Sequence, residues 1–439
     1  MRVVPSSKLV IWSSFFLPLT LIVAIYPRIL FFSLNWLLLV FCISGIDWII
    51  SRSFPEKIRI DLPSEISLIQ NKTKGGYLSV TNSSRHNLSF RITFDCDTDL
   101  IITPSEIQGD IDTNTENILT MDLESEKRGK KHIYNVYLEV RSYLGFFLIR
   151  RKRKSDSMIK VYPNIFQDNQ RLAASLFLRS DQGLRHQRIV GHGREFEQLR
   201  DYLPDDNFSD IAWKATAKKG KPITKIFQIE RTQQIYIALD HSRSSHLAFG
   251  ERSNLDVAIE SILLMQLCCE RMGDMLGLIT FTDKISGFCP AGKGRTHFGV
   301  LRNLLYDLTP RPLTPDFENL FIFIKQRIRK RVFILLFTNI EDPGLASAFF
   351  NDVAIIRKSH LVTVCTFNGY EQNLLFSGDP VTKVSEIYKK LAAQISNNEQ
   401  EKFASSLKKQ NVDMLRFIPN KFAVGVIQHY LNVKRRQIL

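Results

Sequence analysis

Two apolar stretches, 9–26 and 29–50, stand near the start of the chain with almost no charge inside them. Each is long enough to cross the roughly 30 Å hydrocarbon core of a bilayer as a helix. Only Pro27 and Arg28 separate them, so residues 1–52 are expected to form a tight two-helix transmembrane hairpin. A cleaved signal peptide would account for the first stretch alone; the second follows at once, and no Ala-x-Ala site stands between them. Arg2 and Lys8 precede the hairpin, Arg52, Lys57 and Arg59 follow it, and the turn holds only Arg28. By the positive-inside rule both ends face the cytoplasm, which predicts a multi-pass protein of the inner (cytoplasmic) membrane with the bulk of its chain cytoplasmic. Asp47, near the end of the second stretch, reads as an interfacial carboxylate, with a proton relay as the alternative.

The whole chain has 439 residues, room for two or three domains, and its 44% hydrophobic and 23% charged content is that of a folded protein. A formal net charge of +15 points to an anionic partner such as a membrane surface or nucleic acid. Six cysteines lie scattered without CxxC spacing, and Cys268-Cys269 falls in an apolar helical run, so they read as buried small hydrophobes, not a disulfide framework.

Residues 53–163 alternate apolar and polar positions in short runs such as 58–62, 77–81, 88–94 and 136–140, divided by Asn, Gly, Ser and Asp clusters. That pattern predicts a small antiparallel β-sandwich of immunoglobulin type, a module for interaction. The basic run 150–154 fits either a solvated turn or a contact with anionic headgroups or nucleic acid.

From 233 to 439 the pattern changes. Apolar strand candidates at 234–239, 276–281, 332–337, 361–367 and 413–417 alternate with helical runs at 255–272, 298–308, 317–327 and 422–436. Strands alternating with helices predict an α/β fold with a doubly wound, mostly parallel sheet. Ligands in such sheets sit at the carboxyl ends of strands, and the first candidate ends in Asp240-x-Ser242-x-Ser244. One carboxylate and two hydroxyls spaced two apart can converge on a hard cation, Mg²⁺ or Mn²⁺. A solvated loop with a helix N-cap fits the same residues. The spacing resembles the metal-ion-dependent adhesion site of von Willebrand factor A domains. That likeness implies further ligands at Thr314, with Asp316 as the alternative, and at Asn339, where the usual carboxylate is replaced by an amide. A weak divalent-ion site and a structural relic both fit that set.

Between these parts, 164–232 holds an expected helix at 170–177 and then Glu195-Phe196, Arg200-x-Tyr202-x-Pro204-x-Asp206 and Trp213-Lys214-Ala215. Aromatic residues among so many charges suggest a pinned network in which Glu195 or Asp206 pairs with Arg200 or Lys214, around a buried Trp213. This text resembles the signature of the bacterial domain-of-unknown-function-58 family, as do Arg128-Gly129 and Tyr143-Leu-Gly-Phe146 upstream. Asp205, Ser209 and Ala212 depart from it, standing where that signature has Gly, Arg and Asp. The resemblance implies a two-helix anchor, an A-like domain after the signature, and adaptors that work with MoxR-type AAA+ ATPases in assembling or remodelling envelope complexes.

No phosphate-binding Gly-x-x-x-x-Gly-Lys-Ser/Thr, His-Glu-x-x-His or Gly-x-Ser-x-Gly occurs, which argues against an enzyme. Two other readings stay open: a metal-dependent hydrolase using Asp205, Asp206 and Asp210, and a basic scaffold for anionic lipid or nucleic acid.

Overall fold

The computed structural model describes residues 2–14, 30–165, 190–204, 207–228, 232–246, 248–249, 252–340, 342–368 and 384–436. The chain divides into two compact units, Met1–Asn164 and Ile165–Leu439.

The first unit begins with a strand, β1 (Arg2–Pro5), followed by helices α1 (Ser7–Ser14), α2 (Leu30–Ser51) and α3 (Phe54–Lys57). Within the window Leu34–Lys57 lies the one helix among the described residues that is long and apolar enough to cross a membrane. Most of the first apolar stretch, with the Pro27-Arg28 turn, lies outside the described residues. Where α1 is described, Trp12 stacks on Trp36 of α2 with ring centroids 5.8 Å apart.

Nine strands follow: β2 (Ile58–Asp61), β3 (Glu65–Ile69), β4 (Lys74–Asn82), β5 (Leu88–Cys96), β6 (Leu100–Thr103), β7 (Glu106–Ile111), β8 (Glu116–Ser125), β9 (Gly129–Arg141) and β10 (Phe147–Tyr162). One sheet runs β1-β10-β9-β5-β7 with β3 also on β10; the other runs β2-β4-β8-β6. Alternate side chains of both sheets, among them Leu78, Val80, Ile92, Leu123, Val140 and Ile159, share one core, as the period-2 patterning requires.

Three expectations change here. The sheets are not wholly antiparallel, since β3 runs parallel to β10 with Ile66 opposite Ile159. The boundary at 52 cuts a single unit, because β1 pairs with β10, Val3 opposite Ile149. The basic run 150–154 is neither a turn nor a free patch: it lies inside β10, where Arg150 meets Glu139 at 2.6 Å and Arg151 meets Glu56 at 3.2 Å. Arg153 donates to the carbonyl oxygens of Pro55, at 2.8 Å, and of Ile58.

The second unit starts with a hairpin of β11 (Val190–Asp201) and β12 (Ile223–Gln228), with α4 (Trp213–Lys219) between them. The helix expected at 170–177 lies outside the described residues. Next come β13 (Gln234–Asp240), the short pair β14 (Ala248–Phe249) and β15 (Arg252–Ser253), α5 (Asn254–Arg271), β16 (Met275–Phe281) and β17 (Ile285–Gly292). The chain continues through α6 (Arg295–Leu305), α7 (Phe317–Arg327), β18 (Phe333–Phe337), α8 (Pro343–Asp352), β19 (Leu361–Phe367), α9 (Val384–Lys409), β20 (Asp413–Phe417) and α10 (Pro419–Arg435).

The sheet order is β17-β16-β13-β18-β19-β20. Every pairing is parallel except β16 with β17. On β13 the period of two divides the strand between two cores. Ile235, Ile237 and Leu239 pack with residues of α5, α6 and α10, while Tyr236 and Ala238 pack with residues of α7 and α8. Burial on both faces explains why these strands read as continuous apolar runs. The antiparallel edge strand β17 was not expected from sequence, because Gly287, Pro290 and Gly292 interrupt it; an edge tolerates them. All six cysteines are free, and burial pushes the Cys268 thiol up to about 11.

Gly277 sits opposite Tyr236 in the β13–β16 register. A Cβ there would come within 2.3 Å of the Tyr236 ring. Gly277→Ala is therefore expected to destabilise the sheet by about 1–3 kcal/mol, the usual range for overpacking. A denaturant midpoint that does not move would refute this.

Candidate functional site

The parallel strands present their carboxyl ends together, and Asp240 closes β13 there. Its carboxylate is 3% exposed. Oδ1 accepts the Ser242 N–H at 2.8 Å, and Oδ2 accepts the Thr338 hydroxyl at 2.7 Å. Ser244 Oγ lies 3.4 Å from Oδ2 and 3.3 Å from Ser242 Oγ. Four side chains thus hold their oxygens in one cluster, and Asp240, Ser244, Thr338 and Asn339 line one small pocket with Leu255 and Phe367. Burial raises the Asp240 pKa above the ordinary carboxyl value, while the hydrogen bonds from Thr338, Ser242 and Ser244 oppose that shift.

The residues singled out from sequence are treated unequally. Asp240, Ser242 and Ser244 stand together. Asn339 lines the same pocket, but its Oδ1 accepts the Thr366 hydroxyl at 2.7 Å, so that oxygen is already engaged toward β19. Thr314 stands exposed on the 311–316 loop, which is held beside the cluster by the Arg243 N–H to the Leu313 carbonyl at 3.1 Å. Asp316, the alternative donor, caps α7 by accepting the Asn319 N–H at 2.9 Å.

Sequence reasoning missed the part played by Thr338 and by His241. The Thr338 contact could have been found from register, since Leu239 pairs with Phe337 and the next residues are Asp240 and Thr338. His241 is buried between two loops: its Nδ1 lies 3.1 Å from the Thr309 carbonyl and its Nε2 2.8 Å from Ser286 Oγ, itself 2.8 Å from Thr280 Oγ1. A carbonyl only accepts, so Nδ1 carries a proton; burial favours the neutral ring, in which Nε2 accepts from Ser286. Burial accordingly lowers the pKa of His241, and also of His360 and His429.

The unfolded chain then takes up protons before the folded one does. Stability from these rings is full above their ordinary value near 6.5 and is lost as pH falls toward the folded values. Protection factors at β13, that is, exchange corrected for its intrinsic pH dependence, should fall from about pH 7 to about pH 5, less so in His241→Gln. An equally steep pH dependence in that variant would remove His241 from the account.

In the signature segment Arg200 stands opposite Thr224 and the Tyr202 N–H is bonded to the Pro222 carbonyl at 2.9 Å, while the expected partners Glu195 and Asp206 have side chains outside the described residues. Trp213 corrects its expected burial: it is 61% exposed on the seven-residue α4, with the Phe208 ring 5.9 Å away. Lys214 is exposed beside it. Glu195 and Phe196 lie in β11, but their side chains, like that of Asp210 and like Asp205 and Asp206 altogether, fall outside the described residues.

A strand-end Asp-x-Ser-x-Ser loop on a mixed α/β sheet, in a chain with an apolar membrane-length helix and a two-sheet β unit, defines a membrane-associated protein with a von Willebrand factor A-like domain. The model of the family described as "Protein of unknown function DUF58" matches residues 198–413, just under half of the chain. The chain is 25% identical over 191 residues to the uncharacterized protein YeaD of Bacillus subtilis, a match covering 42% of this chain and 44% of the relative. It therefore spans less than half the length of that relative.

Among solved structures, BatB of Bacteroides thetaiotaomicron is 15% identical with a TM-score of 0.32, covering 46% of this chain and 99% of that one. An aerotolerance-related membrane protein of Bacteroides fragilis is 16% identical with a TM-score of 0.29, covering 46% and 98%.

Proposed function

We propose that the protein is a membrane-anchored adaptor that binds a protein partner through the carboxyl edge of its A-like sheet. The observation that carries this reading is the oxygen cluster of Asp240, Ser242, Ser244 and Thr338, beside the 311–316 loop. Its donor set is all oxygen, which fits Mg²⁺ or Mn²⁺. It holds a single carboxylate, and among the described residues no three His, Cys, Asp or Glu side chains converge, which fits weak binding. Asp240, Ser242 and Ser244 would hold the ion, which would offer an open position to a carboxylate of the partner. A MoxR-type AAA+ ATPase is the proposed partner, with envelope protein complexes as the clients.

For the anchor we propose two membrane crossings with both ends on the cytoplasmic side. What supports this is the pairing of β1, before the first apolar stretch, with β10, after the second. Paired strands share one side of a bilayer, so the chain between them crosses an even number of times.

Capture of the partner from native membranes, with and without chelator, tests the adaptor reading. Asn339→Asp should tighten ion binding and increase capture by adding a charge to the pocket. Capture indifferent to both chelator and Asn339→Asp would refute an ion-assisted site.

A further inference from the structure

The turn joining β9 to β10 has an unusual hydrogen-bond arrangement. Every backbone N–H from Ser142 to Phe147 is bonded within the protein. Ser142 bonds the Phe147 carbonyl at 2.9 Å and Gly145 the Ser142 carbonyl at 3.0 Å. Tyr143 bonds Ser51 Oγ at 2.9 Å and Phe147 bonds Ser142 Oγ at 2.9 Å. Leu144 and Phe146 bond the two carboxylate oxygens of Asp47, at 2.9 and 3.4 Å. Asp47 also accepts the Ser142 hydroxyl at 2.6 Å, and Ser6 donates to the Gly145 carbonyl at 2.5 Å.

A surface turn in water has no need of this, because solvent satisfies its amides. A turn that dips toward the hydrocarbon has less such recourse the deeper it lies, and satisfies them internally. The side chains point to the same medium: Tyr143 is 60% and Leu144 43% exposed, with Phe146 buried behind them against Trp12 at 6.3 Å. Asp47 and Ser51, which hold the turn, lie inside the apolar window Leu34–Lys57. The turn is therefore fixed alongside the C-terminal end of α2, the end at which that helix, read as a span, meets the bilayer interface. Arg141 and Lys8 flank it, each within 4 Å of where a Cβ on Gly145 would lie; such side chains lay their stems along apolar surface and raise their charges to phosphate level.

We propose that the turn 143–146 is a further membrane-contacting element, immersed in the interfacial layer of a phospholipid bilayer beside the end of α2. Leu144 meets acyl chain, Tyr143 lies at headgroup level, and Asp47 supplies the hydrogen bonds that lipid cannot. The inference rests on the reading of α2 as a membrane span.

The test uses the full chain reconstituted in phosphatidylcholine–phosphatidylglycerol vesicles, with Cys42 and Cys96 replaced by Ala. An environment-sensitive fluorophore is placed in turn at Leu144→Cys, at Tyr143→Cys, at Phe41→Cys on the exposed face of α2, and at Ile101→Cys on the edge strand β6. The 144 and 143 probes are expected to be quenched several-fold more by a nitroxide near the head of the acyl chain than by aqueous iodide. The 41 probe should respond to a deeper nitroxide and the 101 probe to iodide alone. Iodide quenching at 144 and 143 equal to that at 101, with 41 still reached only by lipid, overturns the proposal by itself. Iodide quenching at 41 overturns the membrane reading and the proposal with it.

Discussion

Asp47→Ala is expected to release the 142–147 turn from α2. The substitution removes the acceptor of four groups, the N–H of Leu144, the N–H of Phe146 and the hydroxyls of Ser142 and Ser51. Each buried polar group left without a partner costs about 1–3 kcal/mol, so the sum reaches several kcal/mol, a large share of the stability of an ordinary domain. Hydrogen exchange read at Leu144 and Phe146 should rise sharply, and the melting temperature of the sandwich should fall. Asp47→Asn keeps one oxygen and should lie between. Unchanged exchange at both amides in Asp47→Ala would show that the carboxylate does not hold the turn.

Asp240→Ala is expected to abolish Mg²⁺ and Mn²⁺ binding and, with it, capture of the partner, while the sheet stays folded. It removes the only carboxylate of the cluster, on which hard-ion affinity chiefly depends. The fold survives because β13 is held by apolar burial on both faces, which the substitution leaves intact. Two effects on stability oppose each other. The Ser242 N–H and the Thr338 hydroxyl lose their acceptor, but a buried charge disappears.

The pH dependence separates them. With its folded pKa raised, Asp240 holds its proton longer in the folded state, so its cost to stability sets in as pH rises from the ordinary 3.8 through the folded value. Asp240→Asn should remove that rise in cost, and added Mg²⁺ should offset it in the unsubstituted protein only. Titration calorimetry of the detergent-solubilised chain decides the main point: wild-type and Asp240→Ala traces with equal heats would leave Asp240 a structural residue alone.

What could be read from the sequence followed the range of the interactions. Strands 234–239, 332–337 and 361–367 were legible because burial on two faces writes an unbroken apolar run. Asp240-x-Ser242-x-Ser244 was legible because its members are neighbours in the chain. Asp47 was not, since its partners in the turn stand 95 to 99 residues away. From its local surroundings it reads as a solvated interfacial carboxylate or a relay; in the fold it is 1% exposed and serves as an acceptor for a turn. The strand at 2–5 was hidden for the same reason, as nothing nearby reveals that its partner is β10. Trp213 failed differently: an aromatic residue among charges was expected to be enclosed, but the short α4 leaves its ring on the surface.

That pairing of β1 with β10 also sets an order on biogenesis. Arg2–Pro5 can find their register only after Phe147–Arg150 have left the ribosome, by which time both apolar stretches have been synthesised. The sheet thus closes around a segment that contains both apolar stretches, a contact of long sequence separation of the kind that forms late in folding. Until then the edge that β10 offers to β1 is open.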